Sequence, residues 1–170
     1  MSEQVESLKR PKGLFTLCVL TILYSTYNLL TTILLIINGK SETYLNLQKK
    51  QFIKMTSFMK KYDPEGYKQQ IESTFIFFDA VYENFVFYHT LSVIIFSLGV
   101  AGAILMLKGS RLGFHFYIIY SFLFTIQSYF ILGYEGTNLK TLIYPALISI
   151  LFIYLYSRYL SWMTSKELEV

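Results

Sequence analysis

The sequence is short of what a water-soluble domain is built from. Of 170 residues only 15% are charged, against roughly 25% in ordinary soluble domains. A chain of this length folded in water is mostly surface, and so few charges cannot cover it. There is one cysteine, Cys18. That excludes a disulfide scaffold and a membrane thiol oxidoreductase, both of which need cysteine pairs. Three prolines and nine glycines are too few for collagen or a low-complexity chain. No G-x-S-x-G, H-E-x-x-H, phosphate-binding glycine loop or dinucleotide fingerprint occurs. Acidic clusters of the kind used by metal-dependent phospholipid transferases are missing from the loops expected in the cytoplasm. The expectation is therefore no enzyme, no cofactor and no metal. The net charge is +4, but no basic patch interleaved with aromatics suits nucleic acid.

What is present is apolar. Hydrophobic residues make up 54% and aromatics 18%, and mean hydropathy is +0.43. A helix needs about 20 apolar residues to cross a hydrocarbon core of about 30 Å. Four segments qualify: 14–37, 85–107, 112–132 and 142–160. Barrel strands would be about 10 residues of alternating polarity, so helices are the reading. The first segment follows Lys9-Arg10-Pro11-Lys12 but is too long for a signal-peptide core and lacks a small-x-small cleavage site. It reads as a retained anchor. Orientation follows from Lys and Arg in short flanks. Lys9, Arg10 and Lys12 precede the first span, Lys108 and Arg111 sit between the second and third, and Arg158 and Lys166 close the fourth. The turn between the third and fourth offers only Lys140, offset by Glu135. Both termini are therefore expected in the cytoplasm. The lysines between the first two spans lie in a long segment, where the charge rule is weak.

That segment, 40–84, is too long to be structureless. Leu45, Phe52, Met55, Met59 and Tyr62 fall on one helical stripe, with Lys49, Lys50, Lys54, Lys60 and Lys61 mostly off it. Asp63-Pro64-Glu65-Gly66 breaks the pattern. A second helical pattern, Tyr67, Ile71, Phe75, Phe78 and Tyr82, reaches Phe85 without a breaker. The expectation is an extracytoplasmic amphipathic helical hairpin. Its stripes pack on each other or on the lipid interface, or Phe52, Met55, Phe58 and Met59 dock a partner while Lys49, Lys50 and Lys54 attract anionic groups.

Polar groups inside a bilayer are costly. Asn28 in the first span and Gln127 in the third read as a packing pair or as ligand contacts. His89 lies at the outer end of the second span, on the side of Asp79 and Glu83, which makes these three a candidate proton or metal cluster. His115 reads as a headgroup-level residue. Ser97 with Ala101, and Gly99 with Ala103, are small-xxx-small pairs that allow close helix approach, within the chain or across a homo-oligomer. Pro145 falls in the first turn of the fourth span, where its missing N–H costs little.

The run Arg10-Pro11-Lys12-Gly13-Leu14-Phe15-Thr16-Leu17-Cys18-Val19-Leu20-Thr21 resembles a group of small uncharacterised bacterial membrane proteins that open R-P-x-x-L-T-x-L-C-x-L-T. Lys108-Gly109-Ser110-Arg111-Leu112-Gly113-Phe114-His115-Phe116-Tyr117 is similar to their basic turn followed by G-F-x-x-Y, and Leu155-Tyr156-Ser157-Arg158-Tyr159-Leu160 to their last span end. Thr16 stands one place from the matching position. The resemblance implies a four-span protein of the bacterial cytoplasmic membrane and carries no activity. The resulting expectation is an all-α membrane protein: four transmembrane helices in a bundle plus the outer hairpin. It acts as a scaffold or accessory subunit for a protein partner or lipid. The alternatives are a small transporter or channel component using Asn28, Gln127 and His89, and, behind it, an interfacial lipid-modifying enzyme using Asp79, Glu83 and His89.

Overall fold

A computed structural model describes residues 9–136 and 139–168, without the side chains of 134–141 and 167. Glu135 and Lys140, used above for orientation, and Tyr134 therefore lie outside the described side chains. Among the described residues the chain is helical throughout, with no strand: α1 (Lys12–Asn38), α2 (Glu42–Thr56), α3 (Pro64–Glu83), α4 (Phe85–Leu107), α5 (Arg111–Ile126), α6 (Tyr129–Gly136), α7 (Leu139–Ser157) and α8 (Leu160–Glu167), with a 3-10 turn at Ser57–Lys61.

Three helical stretches are long and apolar enough to cross a membrane: Lys12–Asn38, Phe85–Leu107 and Arg111–Gly133, the last being α5 continued by the start of α6. Leu142–Ser157 and Leu160–Lys166 meet the same criterion only as a pair, bent by 46°. The expected span 142–160 is thus interrupted. The helix ends at Ser157, whose hydroxyl donates back to the Tyr154 carbonyl, and the chain restarts as α8. Residues Trp162 and Lys166 of α8 lie against Gly109 in the α4–α5 turn. The helix also starts earlier than expected, at Leu139. Pro145 is therefore inside α7 rather than in its first turn.

The packing follows from small residues. The buried positions of α1 are Leu14, Cys18, Thr21, Ser25 and Thr32. Those of α4 include His89, Ser92, Phe96, Gly99, Ala103 and Met106. The α1 series steps by four, three, four and then seven, and the α4 positions named alternate three and four, the spacing of a left-handed helix–helix seam. The outward face of α1 carries Leu23, Leu30, Leu34 and Ile37, all exposed. This inverts the polarity of a water-soluble helix, because lipid gives large apolar side chains no reason to turn inward. On the far side of α4, Gly102 meets Gly113 backbone to backbone, letting α4 and α5 approach closely. Ser97 points outward, so only the Gly99–Ala103 pair of the two expected pairs is used inside. Helix α7 packs on α5 and reaches α1 through Tyr156, whose hydroxyl shares a 2.8 Å hydrogen bond with Thr21.

At the other end, α2 and α3 pair in antiparallel fashion. Ser41 caps α2 through the Tyr44 N–H, and Asp63 caps α3 through the Gly66 N–H with Pro64 in the first turn. Gly39, at φ +74°, turns the chain out of α1. The pair is held by a Lys49–Asp79 ion pair and by the edge-on Phe52 and Phe78 rings, 6.1 Å apart. Helix α3 does not run unbroken into α4. It stops at Asn84, whose side-chain amide and backbone N–H both donate to the Ala80 carbonyl, the local competition that ends helices.

Candidate functional site

A cavity of about 570 Å³ opens where α1, α4 and the end of α5 diverge beneath the α2–α3 pair. Asn28, Thr31 and Thr32 of α1 form one wall, and Tyr88, His89 and Ser92 of α4 the facing one. Gln127 enters from the end of α5, and Tyr44, Phe78 and Tyr82 close the top. The three intramembrane polar residues singled out from sequence, Asn28, His89 and Gln127, thus line one space.

Their individual bonds differ from the expectation. Asn28 does not pair with Gln127. Its amide donates to the Tyr24 carbonyl one turn earlier, at 2.8 Å. Gln127 is buried and donates instead to α4, to the Ser92 hydroxyl at 2.5 Å and the Tyr88 carbonyl at 3.3 Å. That tie locks the end of α5 to α4. His89 is 7% exposed and sits between the Phe85 and Tyr88 rings. Its Nδ1 is buried without a hydrogen-bond partner. A buried polar atom left unpaired costs about 1–3 kcal/mol, so this nitrogen is the most demanding group in the wall.

The lining holds no carboxylate, lysine or arginine among the described residues. The arrangement can hydrogen-bond a neutral polar group. It offers no paired acid and base and no activated nucleophile.

The Asp79, Glu83 and His89 cluster is not assembled. Asp79 is taken by Lys49. Glu83 is exposed and lines a separate shallow groove beside Lys40 and Thr90. Among the described residues no three His, Cys, Asp or Glu side chains lie close enough to hold a metal ion. His115 is exposed, its Nδ1 2.9 Å from the Arg111 carbonyl.

The amphipathic stripe of the α2 region is split. Leu45 is buried and Phe52 and Met59 are half-buried, but Met55 and Phe58 are exposed, with Tyr62 beyond them. The helix tightens to 3-10 geometry after Thr56. With three residues per turn rather than 3.6, the positions after 56 lose the phase of the α-helical stripe. Lys49 turns inward, over the Phe75 ring as well as onto Asp79, while Lys50 and Lys54 stay in the open.

A second, more apolar groove of about 550 Å³ lies between α1, α5 and α7, lined by Leu20, Tyr117, Tyr120, Tyr144, Ile148 and Phe152 among others. Tyr24 and Phe124 line both spaces and meet edge to face with ring centroids 6.5 Å apart. Sequence reading missed the groove and the aromatic roof. The Tyr24, Asn28, Thr31, Leu35 spacing along one face of α1 was the available signal. Compared with protein-family models, curated proteins and solved structures, the chain matches none of them.

Proposed function

We propose that this chain is a non-enzymatic integral membrane protein of the bacterial cytoplasmic membrane, a four-helix bundle with cytoplasmic termini that acts as a scaffold or accessory subunit. The inverted polarity of α1 supports membrane burial. Lys12, Lys108, Arg111 and Lys166 gather at the end opposite the α2–α3 pair, which supports an outer position for that hairpin under the positive-inside rule. The observation that carries the scaffold role is the two-sidedness of the hairpin. Its inner side is consumed by Leu45, Phe52, Lys49 and Asp79. Its outer side leaves Met55 at 74% and Phe58 at 67% exposure, rimmed by Lys50, Lys54 and Lys60. An apolar centre with a basic rim suits a partner protein bearing an apolar patch edged by acids.

A photo-crosslinker placed at Phe58 in native membranes tests this. The expected result is one discrete protein adduct that disappears with Met55→Ser or with Lys50→Glu plus Lys54→Glu. Adducts to lipid alone, indifferent to those changes, would refute it and leave the hairpin as an interfacial anchor. The transporter or channel reading draws support from the shared cavity of Asn28, His89 and Gln127. Beyond that cavity, however, the helices close on Leu14, Cys18, Ile95, Met106, Tyr156 and Met163, all fully buried, so conduction would require this half to open.

A further inference from the structure

We propose that the cavity and the adjoining groove form one site for a single-chain amphiphile with an uncharged, hydroxyl-bearing head, of the monoacylglycerol or long-chain alcohol class. The head lies against His89 and Asn28, and the chain runs between α1 and α7. Three observations carry this. His89 lines the cavity, and its Nδ1 is buried with no hydrogen-bond partner. An imidazole nitrogen accepts or donates according to tautomer, so a hydroxyl, which does both, satisfies it in either state. The cavity lining mixes polar with apolar side chains and is uncharged among the described residues. A charged head would enter without a counter-ion, and burying an unpaired charge is far costlier than burying a hydrogen-bonded hydroxyl. Finally, the cavity and the more apolar groove adjoin at the Tyr24–Phe124 ring pair. Tyr144 and Ile148 of the groove are exposed on the outer surface of the helices, where an acyl chain can enter sideways. Each space lies within the range of about 300–1,000 Å³ usual for small-ligand sites.

This site is independent of the hairpin's outer face, and either assignment can fail without the other. The test is equilibrium binding of radiolabelled monooleoylglycerol to the full chain in phosphatidylcholine nanodiscs. The expected result is saturable binding of one molecule per chain. His89→Phe should weaken it about tenfold, roughly one lost hydrogen bond. Ile148→Trp, which fills the groove, should weaken it at least as much. Asn28→Leu gives a second reading of the head seat if His89→Phe does not fold, because the Asn28 amide bonds only within its own helix. Oleate, with the same chain and a charged head, should lose far more than the roughly tenfold of one hydrogen bond, because its carboxylate would be buried unpaired, and glycerol should not compete at all. Non-saturable uptake, binding indifferent to the head variants that fold, or equal competition by oleate would overturn the proposal.

Discussion

The close approach of Gly113 to the α4 backbone offers a quantitative test of the packing. A Cβ added to Gly113 would sit 2.5 Å from both the Gly102 carbonyl oxygen and the Met106 nitrogen. Both are main-chain atoms inside a helix, so neither can step aside as a side chain would. The α4–α5 seam must open. Overpacking of this kind costs about 1–3 kcal/mol, and a rigid backbone neighbour places it at the upper end. Alanine recovers about 1 kcal/mol of helix propensity over glycine, leaving Gly113→Ala about 2 kcal/mol less stable. At Gly102 the added Cβ would meet the Gly113 oxygen at 3.0 Å and the Tyr117 nitrogen at 3.2 Å, a milder clash that propensity nearly offsets. Gly39→Ala meets nothing within 4 Å but must hold φ +74° with ψ 178°, an essentially glycine-only conformation that costs about 1–3 kcal/mol. Ser97→Ala, on an exposed position, should change stability by less than about 0.5 kcal/mol. Unfolding by SDS in mixed micelles, followed by far-ultraviolet circular dichroism, gives the ranking. A Gly113→Ala protein as stable as the parent would show that α4 and α5 do not meet at these glycines.

Other variants probe the remaining ties. A double-mutant cycle on Gln127→Leu and Ser92→Ala should return a coupling near the membrane average of about 0.6 kcal/mol and below about 1.7, whereas additive losses would deny the 2.5 Å bond between them. Tyr156→Phe and Thr21→Val remove opposite halves of one buried hydrogen bond, so the same unfolding assay should show the second substitution adding little to the first. The Lys49–Asp79 pair is only partly buried, at 21% and 49% side-chain exposure. Lys49→Met should therefore cost less than about 1 kcal/mol globally yet raise amide hydrogen exchange in α2. Unchanged exchange there would mean that the ion pair does not hold the two helices together.

The apolar runs were legible because the bilayer imposes length on them. The expected 14–37, 85–107 and 112–132 correspond to the candidate spans Lys12–Asn38, Phe85–Leu107 and Arg111–Gly133. The fourth run starts at Leu142 as expected but is broken after Ser157, and its helix begins ahead of it at Leu139. Hydropathy does not see the hydrogen-bond break after Ser157, nor how far a helix extends ahead of a proline. Between α1 and α4, the Asp63-Pro64 break was visible as local chemistry. The 3-10 turn at Ser57–Lys61 and the stop at Asn84 were not, since neither carries glycine or proline. Asn28, His89 and Gln127 were each conspicuous for the cost of polarity in lipid. Their convergence depends on how α1 and α5 sit against α4, which no single segment encodes. The same register gives Gln127 to Ser92 rather than to Asn28, and it separates Asp79 and Glu83 from His89. The aromatic roof came from α2 and α3, whose phenylalanines and tyrosines read locally as nothing more than an amphipathic face.

The central claim is that these helices cross a membrane and hold the α2–α3 pair on its outer side with the α4–α5 turn inside. Cys18, the single cysteine, is fully buried, so introduced cysteines report alone. Met55→Cys and Lys108→Cys should be treated in intact cells with a membrane-impermeant maleimide, before and after permeabilisation. The account predicts that Met55→Cys is labelled from outside at once and Lys108→Cys only after permeabilisation. Labelling of both from outside, or of Lys108→Cys alone, would contradict it.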